Sequence, residues 1–289
     1  KVIIGSKPID GGYLILENES EIESLNLSEL QESRMVRPYV GAQEFLQGKS
    51  RWILALQDIE PAELRDAPKV KERVALVRRY RLGEIGHKQR SSNNKQEPGI
   101  SSAALAQTPT QFHVTVIPTT PFLALPEVSS ERRQYAPFGW LKPPIIPSNK
   151  LKVTEHAELF HFSTLQSSMH MAWMRAVTGR MKSDYMYSVG VVYNTFPWPD
   201  LDDKAKALLN KAGQDILDAR ANHPGATLAD LYDPDAMPPD LRKAHRANDL
   251  AVDRLYRKKP FESERERVEF LFARYEALRA PLMAKKGKK

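Results

Sequence analysis

No cysteine occurs in the 289 residues, which excludes a disulfide framework and a thiolate metal site. No apolar run is long enough to span a bilayer and no signal-peptide pattern opens the chain, so the plain expectation is a cytoplasmic protein with no membrane partner. The phosphate loops GxGxxG and the Walker lysine loop are missing, as are the GxSxG elbow and HExxH. His156 and His161 stand five apart, off any common helical face, and read as packing or capping residues rather than metal ligands. Asp202-Asp203-Lys204 has the D-x-K spacing of a metal nuclease but no upstream acidic partner. It opens a helix, where acidic side chains suit the dipole. The proline pairs of LKPPI (Leu141 to Ile145) and MPPD (Met237 to Asp240) lack the leading polar residue and the trailing aromatic of a base-flipping methylation loop. No catalytic, metal-binding or cofactor-binding residue is therefore assigned, and no chemistry is expected from this chain alone.

What is present bounds the answer from the other side. At 41% hydrophobic and 27% charged, the chain buries a real core, as one large domain or two ordinary ones. It begins at Lys1 rather than methionine, which predicts a processed product or an excised fragment. The formal charge of +7 and the isoelectric point near 9.4 are compatible with nucleic acid without deciding for it. Part of the excess sits in AKKGKK (Ala284 to Lys289), predicted to be a disordered tail.

Along the chain, the first half is mixed and loop-rich. IDGGYLILE (Ile9 to Glu17) predicts a turn and a strand, and VRPYVGAQEFLQGKSRWILAL (Val36 to Leu56) a short helix, a QGK turn and a β-rich run. Pro61 to Glu84 is read as helical, with Val70, Val74 and Val77 as its apolar stripe. Lys69, Lys71, Arg73, Arg78, Arg79 and Arg81 surround that stripe, as a solvated face or a phosphate-facing ridge. His87 to Ser102 predicts a long loop. FHVTVI, FLALPEVSS and the proline-rich PFGWLKPPIIPSN predict short, irregular β structure. SSMHMAWMRAVTG (Ser167 to Gly179) predicts a helix with a serine N-cap, a face of Met169, Trp173, Ala176 and Val177, and a closing glycine. Helices are predicted over Leu201 to Ala221, Asp240 to Tyr256 and Ser263 to Leu278, the last opened by the capping box Ser263-x-x-Glu266. Thr227 to Tyr232 adds a short turn of helix. The fold class is α+β: a mixed, mainly antiparallel β domain with inserted helices over 1–195, then a small all-α helical C-terminal domain over 196–289.

The segment GRMKSDYMYS (Gly179 to Ser188) interleaves a donor, an acceptor and an apolar tip with tyrosines. If extended, it puts Lys182, Asp184 and Met186 on one face and Tyr185 and Tyr187 on the other. In a DNA major groove a lysine donates to guanine O6 and N7, an aspartate accepts from cytosine N4, and an apolar group lies against a thymine methyl. Spacing alone equally fits an exposed strand with an ordinary ion pair.

SSMHMAWMRAVTGRMKSDYMYS with VVYNTFPWP (Val191 to Pro199) resembles the signature of MmeI-like DNA methyltransferases. RPYVGAQEFLQGKSRW (Arg37 to Trp52), VSSERRQYAPFGWL (Val128 to Leu141) and LADLYDPDAMPPDLRKAHRANDLAVDRLY (Leu228 to Tyr256) resemble other blocks of that family, in order. The resemblance implies a target recognition domain and a helical C-terminal domain from an adenine-N6 methyltransferase of a restriction-modification system, of a kind often fused to a nuclease. S-adenosylmethionine would be held by the upstream methyltransferase domain of the same polypeptide, and the partner would be double-stranded DNA. Base reading would fall to Lys182, Asp184 and Met186; the family often carries an arginine at the last position.

Candidates for the DNA backbone are Arg133, Arg180, Tyr187 and Ser188. Arg133 belongs to the cluster Ser129-Ser130-Glu131-Arg132-Arg133, where Glu131 could instead pair with an arginine, and Arg180 could instead cap the preceding helix. Trp173, Phe196 and Trp198 are read as core or domain-junction residues rather than base-stacking ones. The rival from another class is a protein-interaction module docking through Leu201 to Leu278, which salt would leave intact while weakening phosphate contacts.

Overall fold

The computed structural model describes residues 1–88 and 100–286. Most of the loop expected over His87 to Ser102, and the last three positions of the basic tail, lie outside the described residues. The chain folds as two compact units, each around its own apolar core. One comprises Ile4–Pro121 with Leu141–Leu151, the other Lys1–Ile3, Phe122–Trp140 and Lys152–Lys289.

In the first unit, strands Ile15–Leu16, Trp52–Leu54, Val36–Val40 and Ile146–Pro147 form a sheet in that order. Pairing is antiparallel up to Val36–Val40 and parallel onto Ile146–Pro147. The run expected to be one helix from Pro61 is two, Pro61–Arg65 and Pro68–Arg81. Pro68 carries no N–H and holds Ala67 out of helical geometry, so the second helix must start afresh. FHVTVI forms no strand; among the described residues its one ladder contact is the bridge from Val114 to Lys7.

The valine stripe is buried as predicted, but Arg81 is buried with it. Positions 70, 74, 77 and 81 repeat at helical spacing, so the fourth member points inward whatever its chemistry. Its guanidinium is fully satisfied there: Nε donates to the carbonyl of Ile9, Nη1 to Leu105 and Thr108, and Nη2 to Pro8 and Gln111, all at 2.8–3.0 Å. Burial lowers the pKa of this group and the charge of Asp10 opposes the shift. Arg81 thus gathers distant loops around one fork of donors, which a lysine ammonium could not match.

The second unit is built on the strand Phe122–Pro126, buried at every position. The sheet that holds it has the order Ile3–Ile4, Leu151–Thr154, Phe122–Pro126, Gly139–Leu141, with the strand ends Ile4, Leu141 and Leu151 counted to the first unit. A smaller sheet joins Arg180–Met181, Asp184–Met186 and Val128–Ser129. The helices Leu159–Leu165, Ser168–Val177, Asp203–Ala221, Pro239–Tyr256 and Glu264–Lys286 enclose the core. Local signals hold at their ends: Asp202 accepts from the N–H of Ala205 at 2.7 Å and Ser263 from that of Glu266 at 3.2 Å. Glu264–Lys286 continues into the tail predicted to be disordered.

Helix Ser168–Val177 departs from the expected amphipathic pattern. Met169 through Met174 are all buried, while Ala176 is exposed. It is covered from several sides, by Glu264–Lys286, Pro239–Tyr256, Leu159–Leu165 and the π-helix Val189–Tyr193. It ends at Val177 with Thr178 extended, so Gly179 closes it without a left-handed cap. The C-terminal helices belong to this packing, which is why compactness does not divide the chain at 195/196. Asp249 accepts from the N–H of Ser168 at 2.6 Å and from the Tyr135 hydroxyl at 2.7 Å. Asn248 donates to the carbonyl of Ser163 at 2.9 Å, and Arg220 to that of Phe138 at 2.8 Å.

Replacing Arg81 by methionine should cost at least about 3 kcal/mol, because buried carbonyls lose their donors together. Urea denaturation of the chain would measure it, and a loss under about 1 kcal/mol would show that water replaces the guanidinium.

Candidate functional site

The segment singled out in the sequence forms a β-hairpin. Arg180–Met181 pairs antiparallel with Asp184–Met186, placing Arg180 opposite Tyr185 and Met181 opposite Asp184. The return strand pairs in turn with Val128–Ser129, Tyr185 opposite Ser129 and Met186 opposite Val128. Side chains alternate along the return strand as expected: Tyr185 and Tyr187 are 7% and 2% exposed, while Asp184 and Met186 reach the surface in part.

The alternation does not extend to Lys182. It and Ser183 form the two-residue tip, and Lys182 adopts φ +57°, the left-handed region. For a residue with a side chain that conformation costs roughly 1–2 kcal/mol. The expectation of a single extended face bearing 182, 184 and 186 is thereby corrected: the chain reverses at Lys182, which stands at the apex with Asp184 on the return strand. Lys182 is exposed, and no ion pair engages it among the described residues.

The backbone-contact candidates separate. Tyr187 points inward, its hydroxyl 3.1 Å from Nε2 of His170 and its ring edge-on to Phe138. Its side chain is packing, not a group facing phosphate, because strand alternation carries it to the core side. Ser188 is half-buried and caps the π-helix, its hydroxyl accepting from the N–H of Val191 at 3.3 Å. Arg180 does not cap the preceding helix. It forms an ion pair with Glu131 at 3.0 Å and stacks over Tyr185 at 4.5 Å from the ring centroid.

Arg133 is half-buried beside the hairpin. Burial lowers the pKa of its guanidinium, and the carboxylates of Asp184 and Asp233 oppose the shift. Arg132 turns instead to Asp235, at 2.5 Å. The partner of Glu131 is thus an arginine 49 positions away rather than its neighbours, a pairing set by strand register, for which no local signal exists.

His170 lies beneath the hairpin, wholly buried between Phe138, Phe196 and Tyr187. Burial pushes its pKa down to about 3, and Nδ1 has no hydrogen-bond partner among the described residues. His161 accepts from the N–H of Glu158 at 3.0 Å and stacks on Phe160, a capping and packing residue as predicted. Among the described residues no three His, Asp or Glu side chains converge as metal ligands.

Residues 1–200 match the family model described as MmeI, target recognition domain, and residues 201–283 that described as MmeI, C-terminal domain. The chain belongs to the MmeI family. DNA methyltransferase A of Bacillus subtilis (strain 168) is 36% identical over 279 residues, covering 96% of this chain and 30% of that protein. A solved structure of the Type IIL restriction-modification enzyme MmeI in complex with DNA superposes with a TM-score of 0.87 at 36% identity, over 96% of this chain and 35% of that one. The chain therefore spans about a third of the length of these MmeI-family relatives.

Because His170 is neutral when folded and titrates near 6.5 when unfolded, the unfolded state binds more protons below that pH. The stability it confers is full above about pH 6.5 and is lost as pH falls toward about 3. The stability gap between the wild type and His170→Phe should shift by roughly 2 kcal/mol between pH 7 and pH 5, to the variant's benefit at the acid end. Denaturant titrations at the two pH values measure it; a constant gap would place the protonated imidazole in reach of water.

Proposed function

We propose that this chain is the sequence-reading module of a DNA methyltransferase of a restriction-modification system, and that the hairpin Arg180 to Met186 enters the major groove of double-stranded DNA. A two-stranded ribbon fits that groove, and the donor and acceptor it carries match the base edges there. Lys182 donates to guanine, Asp184 accepts from cytosine N4, and Met186 lies against an apolar base edge. Arg133 and Ser188 face the sugar-phosphate backbone beside the hairpin. The parent enzyme transfers a methyl group from S-adenosylmethionine to adenine N6, with cofactor and chemistry in a methyltransferase domain upstream in the same polypeptide.

The observation that carries this reading is the outward display of Lys182, Asp184 and Met186 on a hairpin whose tyrosines are buried. Support comes also from the family model's description as a target recognition domain and from the likeness to an enzyme solved with DNA. The docking alternative for the helical half loses ground, since Leu209, Ile216, Leu241, Val252 and Leu271 are consumed in the chain's own core.

In the parent enzyme, Asp184→Ala should relax one position of the methylated motif, at a cost of about 1–3 kcal/mol in discrimination, while methylation at the relaxed motif continues. Mapping methylated adenines across a genome, with and without exchanges at Lys182 and Asp184, reads this directly. An unchanged motif in both exchanges would exclude the hairpin as the reader.

A further inference from the structure

The hairpin that displays the reading residues is short, and its base is closed by the N–H of Met186 donating to the carbonyl of Gly179 at 3.0 Å. Two residue pairs face each other across it; the return strand is held from its other side by Val128–Ser129, and that pairing stops short of the two-residue tip, Lys182 and Ser183. Its apex residue is in the left-handed region, so surrounding groups must hold the turn in that form.

One side chain reaches the needed places. Nη1 of Arg180 donates to the carbonyl of Ser183 in the tip at 3.1 Å and to Oε2 of Glu131 at 3.0 Å. Nη2 donates to the Tyr185 hydroxyl at 3.3 Å, and the guanidinium lies 4.5 Å from the Tyr185 ring centroid. Tyr185 is anchored in the core and paired opposite Ser129, two residues before Glu131. A single guanidinium thus joins the turn, the return strand and the neighbouring segment.

We infer that Glu131, Arg180 and Tyr185 form a strut that sets the hairpin tip, so that Glu131 and Arg180 are positioning residues for base reading, acting through Lys182 and Asp184. The inference rests on the reading proposed above. A phosphate grip by Arg180 fits less well, because the carboxylate 3.0 Å away offsets its charge and would repel a phosphate. The two roles predict opposite signs for Glu131→Gln. A strut loses discrimination when the carboxylate is neutralised; a phosphate grip tightens its hold on DNA.

The test uses the full-length parent enzyme with Glu131→Gln, Arg180→Lys and the double variant, beside the Lys182 and Asp184 exchanges. The readouts are kcat/KM on the cognate site and on sites with one base pair changed, the salt dependence of binding, and thermal unfolding as a check on folding. Each single variant should lose about tenfold in discrimination, at the positions that respond to Lys182 or Asp184. The double variant should be no worse than either single one, and the salt slope should stay unchanged. Arg180→Lys keeps the charge, so its loss of discrimination reports the lost fork geometry. Uniform weakening on all sequences with a salt slope lower by about one would make Arg180 a phosphate contact and overturn the strut. Tighter binding by Glu131→Gln, or unchanged discrimination in both single variants, would overturn it too. If the Lys182 and Asp184 exchanges change the motif while the Glu131 and Arg180 variants do not, the strut alone fails. If none changes the motif, the base-reading assignment and the strut fall together.

Discussion

The burial of Tyr185 and Tyr187 is the constraint on which the display at the hairpin depends. Strand side chains alternate, so two aromatic rings committed to the core leave Asp184 and Met186 no direction but outward. A slip of one residue would bury the aspartate and expose both rings, which makes the register expensive to change. Two rings of this size outweigh the left-handed conformation at Lys182, since burying each contributes more than the roughly 1–2 kcal/mol that the turn costs.

The floor beneath those rings is equally constrained. His170 sits in an apolar cage, kept neutral by its burial, with the Tyr187 hydroxyl on one nitrogen. It belongs to a helix covered by the C-terminal helices and tied to them through Asp249, which accepts from both Ser168 and Tyr135. Such buried polar links discriminate against shifted packings, because any slide leaves charged or polar groups without partners. The C-terminal helices thus act as the rigid backing of the display surface.

Much of this was legible in the sequence. The helices beyond Pro199 were visible because capping residues and apolar periodicity are local signals: Asp202, Ser263 and the stripe of Val70, Val74 and Val77 behave as their spacing predicts. Arg81 was misread because a charged residue on a surface helix is ordinarily solvated; only the carbonyls of distant loops make its burial tolerable. The residues at 182, 184 and 186 were visible as donor, acceptor and apolar tip. That the chain turns at Lys182 was not, since the tip carries neither glycine nor asparagine.

By itself the sequence determined the chemistry on offer and the local elements: no cysteine, a run of capped helices, and an alternating segment with polar groups on one side and tyrosines on the other. These follow from composition, dihedral preference and period, all short-range properties. Only the tertiary structure decided which arginine meets Glu131, which way Tyr187 points, and that the C-terminal helices share a core with the hairpin. Those are outcomes of register and packing between segments tens of residues apart, where the free energy resides in joint burial and no single stretch carries the information.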